Sequence, residues 1–153
     1  MWTRTVEGAP DSPPVLATRW DLAPGEPRLL RGSPGWDWAS AQPAPGELVV
    51  DKLWPDACSA PELTDWLRAR PELVAVVLVG AYAARCVLAT ANGLARLGRV
   101  VLVPGGLVVP HPGCPSEAEV AEHVISTTLG YVLDPTDIRQ RWTQPPSLAN
   151  SRR

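Results

Sequence analysis

The sequence predicts an α/β fold with three layers, in which a mostly parallel sheet lies between helices. From residue 47 onward, short apolar runs alternate with helical patterns, which is typical of parallel strands joined by right-handed crossovers. Residues 73–79 are apolar throughout, as expected of a strand covered on both faces. The length of 153 residues suits one domain with a hydrophobic core. We expect a loose arm over 1–14, a single domain over 15–142 and a disordered tail over 143–153.

The individual elements follow from local signals along the chain. A short strand is predicted at residues 15–18, and the proline-, glycine- and tryptophan-rich stretch 21–46 is expected to be a long loop. After it, the pattern predicts strands at 47–51, 73–79, 100–103 and 131–133 and helices at about 60–70, 83–97 and 117–129. The first and last of these helices each begin with the spacing of a capping box, Ser59 with Glu62 and Ser116 with Glu119.

The composition excludes several classes of protein. The net charge is −2 and there is no basic block, so nothing indicates a nucleic-acid partner. There is no apolar run near the ~20 residues of a membrane span and no secretory signal, so we expect a cytoplasmic protein without membrane contact. The cysteines number three and form no Cys-x-x-Cys pair, and the histidines number two. This set favours neither disulfides nor a metal site, and we expect no cofactor.

The chain contains thirteen arginines and a single lysine, Lys52. Lys52 ends the predicted strand 47–51, and Cys86 follows the predicted strand 73–79 on the first turn of a helix. Because the carboxyl ends of parallel strands meet at one edge of a sheet, these two side chains are expected to lie together.

A lysine and a cysteine at that position indicate nucleophilic chemistry. The thiolate is the attacking form of cysteine, and both a helix N-terminus and a nearby ammonium stabilise it. Backbone N–H groups of the turn 80–86 offer an oxyanion site. A third group, normally a carboxylate, is needed to accept the thiol proton. The alternative interpretation is that Cys86 is a small buried apolar residue and Lys52 a solvated strand end.

Two motifs carry a resemblance to a known family. The first is the lysine at a strand end in Lys52-Leu53-Trp54-Pro55-Asp56-Ala57-Cys58, which keeps the family's lysine and Ala57. The second is the turn Gly80-Ala81-Tyr82-Ala83-Ala84-Arg85-Cys86-Val87. Together they resemble the isochorismatase-like cysteine hydrolase superfamily, which includes nicotinamidases, carbamoyl-sarcosine hydrolases and isochorismatases. The resemblance implies a Rossmann-type sheet.

The resemblance also implies roles for particular residues. Cys86 would be the nucleophile that cleaves a small amide or imide, and Lys52 would be its electrostatic partner. The N–H groups of Tyr82 and Cys86 would form an oxyanion hole beside a cis peptide bond between Ala81 and Tyr82. Apart from the resemblance, Trp36 and Tyr82 are candidates for the substrate pocket, and packing of the long loop is the alternative role for Trp36. The pair Tyr82-Ala83 is closer to the true isochorismatases, which leaves a vinyl-ether hydrolase as an alternative.

One departure from the family pattern concerns the first strand. The family begins with a central strand that ends in the general-base aspartate, and the resemblance implies that residues 15–18 match the second strand instead. Asp21 or Asp37 would then have to substitute as the base. Three explanations stay open: a truncated reading frame, a strand supplied by a partner chain or a homo-oligomer, and an inward shift of 15–18 in an inactive relative. The last leaves a binding or assembly module as an alternative to a hydrolase.

Overall fold

The computed structural model describes residues 1–6, 32, 36–38 and 41–143. Its strands are β1 Trp2–Thr5, β2 Val49–Lys52, β3 Ala75–Val77, β4 Gly80–Ala81, β5 Val100–Pro104, β6 Val108–Val109 and β7 Gly130–Leu133. Its α-helices are α1 Pro61–Arg68, α2 Leu88–Arg96, α3 Glu117–Val124 and α4 Pro135–Thr143. All strand pairs in the described part of the chain are parallel. The predicted α/β fold with parallel strands is therefore confirmed.

The strands form three separate hydrogen-bonded groups. β1 pairs with β2, β5 lies between β3 and β7, and the short strand β4 pairs with β6. No strand pairing among the described residues joins the β1–β2 pair to the three-stranded sheet. Residues of both β1 and β3 line the cavity of the candidate site.

The hydrophobic core lies between the helices and the central strand β5. Leu63 and Leu67 on α1, Leu94 on α2 and Val101 and Val103 on β5 are all essentially inaccessible to solvent. Burying one such side chain contributes roughly 1.5–3 kcal/mol to folding. The core thus fixes α1 and α2 against the sheet and sets the positions of the loops at the carboxyl ends of the strands.

The amino-terminal residues differ from the expected loose arm. Trp2–Thr5 form β1, which pairs in register with Val49–Lys52. The N–H of Trp2 donates to the carbonyl of Leu48 at 2.8 Å. Trp, Thr and Val have high β-propensity, but the pairing joins residues more than 40 positions apart. A local sequence pattern therefore does not predict it.

The helix ends also differ from prediction at two places. The side chain of Ser59 does not cap α1, which begins after Ala60; the Ser59 hydroxyl instead donates to the carbonyl of Asp56. Ser116 does precede α3, but its side chain makes no capping hydrogen bond. The predicted helices 83–97 and 117–129 each contain a wide turn with i→i+5 hydrogen bonding, over Ala83–Val87 before α2 and Ile125–Leu129 after α3.

Several predictions lie outside the described residues. They are the strand at 15–18, Asp21, most of the loop 21–46 and the tail beyond Thr143. In the described part of the chain, no helix is both long enough and apolar enough to cross a membrane.

Candidate active site

Lys52 is the last residue of β2 and is almost completely buried, with 3% of its surface exposed. Its Nζ donates to the hydroxyl of Thr5 at 2.9 Å, to the carbonyl of Trp54 at 3.0 Å and to Sγ of Cys86 at 3.4 Å. A lysine ammonium has three N–H bonds, so these partners use all of them. No carboxylate in the described ranges forms an ion pair with Lys52, so the sulfur is its potential anionic partner.

Cys86 lies on the turn that joins β4 to α2 and is partly exposed. Its sulfur contacts the buried ammonium of Lys52, and the residue forms part of the wall of a cavity. The structure therefore brings the predicted pair together, although the two residues are 34 positions apart in the sequence. A sulfur that is held by a cation and accessible from a cavity can act as a nucleophile.

The turn before Cys86 has an unusual backbone. The structure has a cis peptide bond between Ala81 and Tyr82, the bond at which the resemblance implies one. The carbonyl of Tyr82 accepts the N–H groups of Arg85 at 3.1 Å and Val87 at 3.2 Å. Arg85 and Val87 are the residues on either side of Cys86. The N–H of Cys86 itself makes no hydrogen bond to the Tyr82 carbonyl.

The residues around the turn form a second polar group next to the thiol. The Tyr82 ring packs edge-on against His111 with a centroid separation of 5.0 Å, and the Arg85 guanidinium lies 5.9 Å from the same ring. Nε of Arg85 is 4.0 Å from Glu117. This group positions the aromatic ring of Tyr82, which lines the cavity.

A cavity of about 680 Å³ extends from Cys86 to residues of β1 and β3. Its wall includes Lys52, Cys86, Tyr82 and Trp36, which are four of the predicted site residues. A volume of this size accommodates a small organic molecule.

The tryptophans of the loop segment 36–38 pack against an arginine of β1. The Arg4 guanidinium lies 3.6 Å from the centre of the Trp36 ring and 4.7 Å from that of Trp38. Nε of Arg4 donates to Asp51 at 3.1 Å. Trp36 lines the cavity, where a pocket residue is expected. Its contact with Arg4 also attaches the loop segment to β1.

The other two cysteines have different environments. Burial, together with the neighbouring Asp56 carboxylate, raises the pKa of Cys58 from its ordinary value of 9.0 to about 12. Cys114 is exposed. Neither lines the cavity, so they serve as internal references for the reactivity of Cys86.

Sequence reasoning missed Thr5, Arg4 and Arg85 as residues of the site. Thr5 and Arg4 belong to the segment expected to be a loose arm, although the run from Trp2 to Val6 is rich in strand-forming residues. Arg85 carries no signal beyond its position next to Cys86. In the described residues, no three His, Cys, Asp or Glu side chains come close enough to hold a metal ion.

Fold and site together define an α/β protein with a lysine–cysteine pair at the carboxyl ends of parallel strands. The model of the isochorismatase domain family matches residues 5–109, more than half of the chain. The chain therefore belongs to the isochorismatase family. No curated protein matches it.

Solved structures share this fold. An isochorismatase-like hydrolase from Alkaliphilus metalliredigens aligns over 92% of this chain and 71% of its own, with a TM-score of 0.74 and 17% identity. An isochorismatase family protein from Desulfovibrio vulgaris aligns over 78% and 62%, with a TM-score of 0.66 and 23% identity. A nicotinamidase from Staphylococcus aureus aligns over 59% and 57%, with a TM-score of 0.50 and 28% identity. The chain thus spans less than two thirds of the length of the last two.

Proposed function

We propose that this protein is a hydrolase that cleaves a small amide or imide through Cys86. The observation that supports this proposal is the 3.4 Å contact between the buried ammonium of Lys52 and the sulfur of Cys86, a residue of the cavity wall. The ammonium stabilises the thiolate, which is the attacking species. Family membership and the resemblance to a nicotinamidase structure point to the same chemistry.

The proposed reaction has two steps. The Cys86 thiolate attacks the carbonyl carbon, and the carbon–nitrogen bond breaks while a proton passes to the leaving nitrogen, which leaves a thioester and a free amine or ammonia. Water then attacks the thioester, which releases the carboxylic acid and returns the proton to the thiol. No cofactor is needed for either step.

The backbone turn offers a stabilising site for the oxyanion of the intermediates. The N–H of Cys86 is not bonded to the Tyr82 carbonyl, which takes the N–H groups on either side instead. With the N–H of Tyr82, it forms the proposed oxyanion hole. Donors that are fixed before the reaction stabilise the transition state without reorganisation.

The reaction needs a proton acceptor beside Cys86. Asp21 lies outside the described residues. Asp37 is the single carboxylate among the described residues of the cavity wall, and we assign it the role of base. No hydrogen bond in the described structure joins it to Cys86 or Lys52, so its approach would accompany substrate binding.

A direct test is to treat the protein with iodoacetamide at neutral pH and to map the adducts over time by mass spectrometry. We expect Cys86 to react faster than the exposed Cys114, and Cys58 to stay unlabelled. Turnover of nicotinamide and other primary amides should then be lost in Cys86→Ser. If Cys86 reacts no faster than Cys114, it is not an activated nucleophile and the proposal fails.

Two alternatives have specific support. The sequence Tyr82-Ala83 favours a vinyl-ether hydrolase, which predicts release of pyruvate from isochorismate. The absence of a carboxylate bonded to Cys86 or Lys52 in the described residues favours a non-catalytic binding module. That alternative predicts that Cys86→Ala retains full biological function and that no amide is turned over.

A further inference from the structure

The buried contact between Lys52 and Cys86 places a nitrogen next to a sulfur that can be oxidised. The two atoms, Nζ and Sγ, lie 3.4 Å apart. Groups that a protein holds at about 3–3.5 Å from each other react far faster than the same groups free in solution. Nζ also donates to Thr5 and to the carbonyl of Trp54, and both bonds keep it at this place. An electrophilic sulfur at position 86 would therefore have the lysine nitrogen as its nearest nucleophile.

Cys86 has the features of a cysteine that peroxides oxidise. The thiolate is the form that reacts, and the ammonium of Lys52 stabilises it. The residue is partly exposed and belongs to the cavity wall, so a molecule as small as hydrogen peroxide has access to it. The first product of such an oxidation is a sulfenic acid, whose sulfur accepts a nucleophile.

A second thiol is one group that commonly traps a sulfenic acid, and it forms a disulfide. The chain has three cysteines, all within the described residues, and all three are free. Neither Cys58 nor Cys114 lines the cavity. Burial, together with the Asp56 carboxylate, raises the pKa of Cys58 to about 12, so its thiol is protonated at neutral pH and attacks poorly.

The backbone nitrogen after the cysteine is a second group that traps a sulfenic acid. Here it belongs to Val87, and its N–H donates to the carbonyl of Tyr82 at 3.2 Å. Attack by this nitrogen would break a hydrogen bond of the turn. The amine of Lys52 is already in contact with the sulfur, so it is the better placed of the two nitrogens.

We infer that peroxide oxidation of Cys86 leads to a reversible covalent bond between its Sγ and Nζ of Lys52. First, the thiolate attacks one oxygen of hydrogen peroxide and the O–O bond breaks, which gives a sulfenate and water. Next, the ammonium passes a proton to the sulfenate oxygen, and the nitrogen attacks the sulfur. The S–O bond breaks, and the departing hydroxide takes a second proton from the nitrogen and leaves as water. The sulfur loses two electrons to the peroxide, and the product is a sulfenamide.

The S–N bond changes the site in two ways. The product is neutral, which removes the cost of keeping an ammonium and a thiolate away from water. Sγ is no longer a nucleophile, and it is protected from further oxidation to the irreversible sulfinic acid. Dithiothreitol restores the thiol and the amine and is itself oxidised to a disulfide. The loss of amide turnover that accompanies the bond rests on the proposed function, whereas the bond itself does not.

The test treats the full chain with hydrogen peroxide at neutral pH, blocks the remaining thiols with iodoacetamide and digests the protein with trypsin without reductant. Lys52 is the single lysine of the chain, so a bond at its nitrogen prevents cleavage after it. We expect mass spectrometry to find the peptide 86–96 joined to the peptide 32–68, with a combined mass lower by two hydrogen atoms. Dithiothreitol should separate the two peptides and restore the cleavage.

Two variants distinguish the role of the nitrogen from general oxidation. Lys52→Met is compared with the wild type at equal loss of the free Cys86 thiol. Dithiothreitol should then recover at least about tenfold less thiol in the variant, because its sulfenic acid proceeds to sulfinic acid. Cys114→Ser is the matched control and should form the S–N bond as the wild type does. If Lys52→Met does not fold, the peptide map of the wild type decides the question by itself.

Four results would overturn the inference. The first is complete cleavage after Lys52 in protein whose Cys86 is oxidised. The second is a link from the peptide 86–96 to the peptide 53–68 or to the peptide of Cys114, since either is a disulfide. The third is a joined product that retains an oxygen atom from the peroxide, which is a different bond. The fourth is full recovery of the Cys86 thiol in folded Lys52→Met.

These results are separate from those that test the hydrolase. An S–N bond in a protein that turns over no amide would retain the inference and remove the hydrolase. Amide turnover that peroxide abolishes without forming the bond would retain the hydrolase and overturn the inference.

Discussion

Replacing Lys52 by Met tests the lysine–cysteine contact on which the proposed function depends. The substitution keeps a long apolar stem in a buried position and removes the ammonium. We expect the rate at which the Cys86 thiol reacts to fall, because the cation that stabilises its thiolate is gone.

The size of the effect follows from the distance between the two groups. At 3.4 Å, a unit positive and a unit negative charge attract by about 1 kcal/mol in water and by about 5 kcal/mol at an effective dielectric constant of about 20. Each 1.4 kcal/mol of lost attraction corresponds to about a tenfold change, but a less stabilised thiolate is also more nucleophilic, which offsets roughly half of the change on a logarithmic scale. The expected decrease is therefore between about threefold and about 60-fold.

The assay is exchange with a small disulfide, dithiodipyridine, at neutral pH, with the three cysteines resolved by mass spectrometry. The rate at the exposed Cys114 in the same sample serves as the reference. A matched variant, Thr5→Val, removes a hydrogen-bond acceptor from the ammonium but keeps its charge, so its Cys86 rate should stay close to that of the wild type.

The replacement also has a cost in stability, since the Trp54 carbonyl loses its donor from Lys52. A buried acceptor left without a partner costs about 1–3 kcal/mol, so the fold of the variant has to be verified by circular dichroism. Equal Cys86 rates in folded Lys52→Met and wild-type protein would refute the electrostatic role of the lysine.

Three further predictions concern other parts of the molecule. Asp37→Asn should abolish amide turnover while the alkylation rate of Cys86 stays unchanged. Amide turnover that persists in this variant would show that Asp37 is not the base. The pKa of Cys58 is raised to about 12, so the thiol contributes stability below its ordinary value of 9.0 that is lost as pH rises toward 12; chemical denaturation at several pH values should show this loss, reduced in Cys58→Ala. Gly130→Ala should lower the melting temperature, because a Cβ there meets the β5 backbone, whereas Gly105→Ala makes ordinary contacts at 3.6 Å and should be tolerated.

The sequence allows prediction of the lysine–cysteine pair because both residues follow apolar runs. Residues 73–79 have the composition of a buried strand, and Lys52 ends the run before it, so the parallel-sheet rule places both side chains at one edge. The structure has the pair at this edge, in contact at 3.4 Å. The strands β2, β3, β5 and β7 lie within a few residues of their predicted bounds for the same reason.

The parts that sequence reasoning missed depend on contacts between distant residues. β1 is stabilised by pairing with β2 and by the stacking of Arg4 on Trp36. Both contacts join residues that are far apart in the sequence, so no local sequence pattern predicts them. The wide turn before α2 was also missed, because residues 83–87 continue the helical pattern and no local signal separates i→i+5 from i→i+4 hydrogen bonding. The helix α4 does carry a local sequence signal: Pro135 is its first residue, and the preceding Asp134 accepts the N–H of Thr136.

The identity of the buried cation at position 52 follows from the geometry around it. Its partners are a hydroxyl, a carbonyl and a sulfur in three directions, at 2.9–3.4 Å from a single nitrogen. An ammonium directs three N–H bonds from one atom, whereas a guanidinium spreads five N–H bonds over a planar fork that suits a carboxylate. Arginine serves for ion pairs elsewhere in this chain, as in the bond of Arg4 to Asp51. A position that must hold β1, the loop after β2 and the sulfur of Cys86 at one point therefore requires lysine.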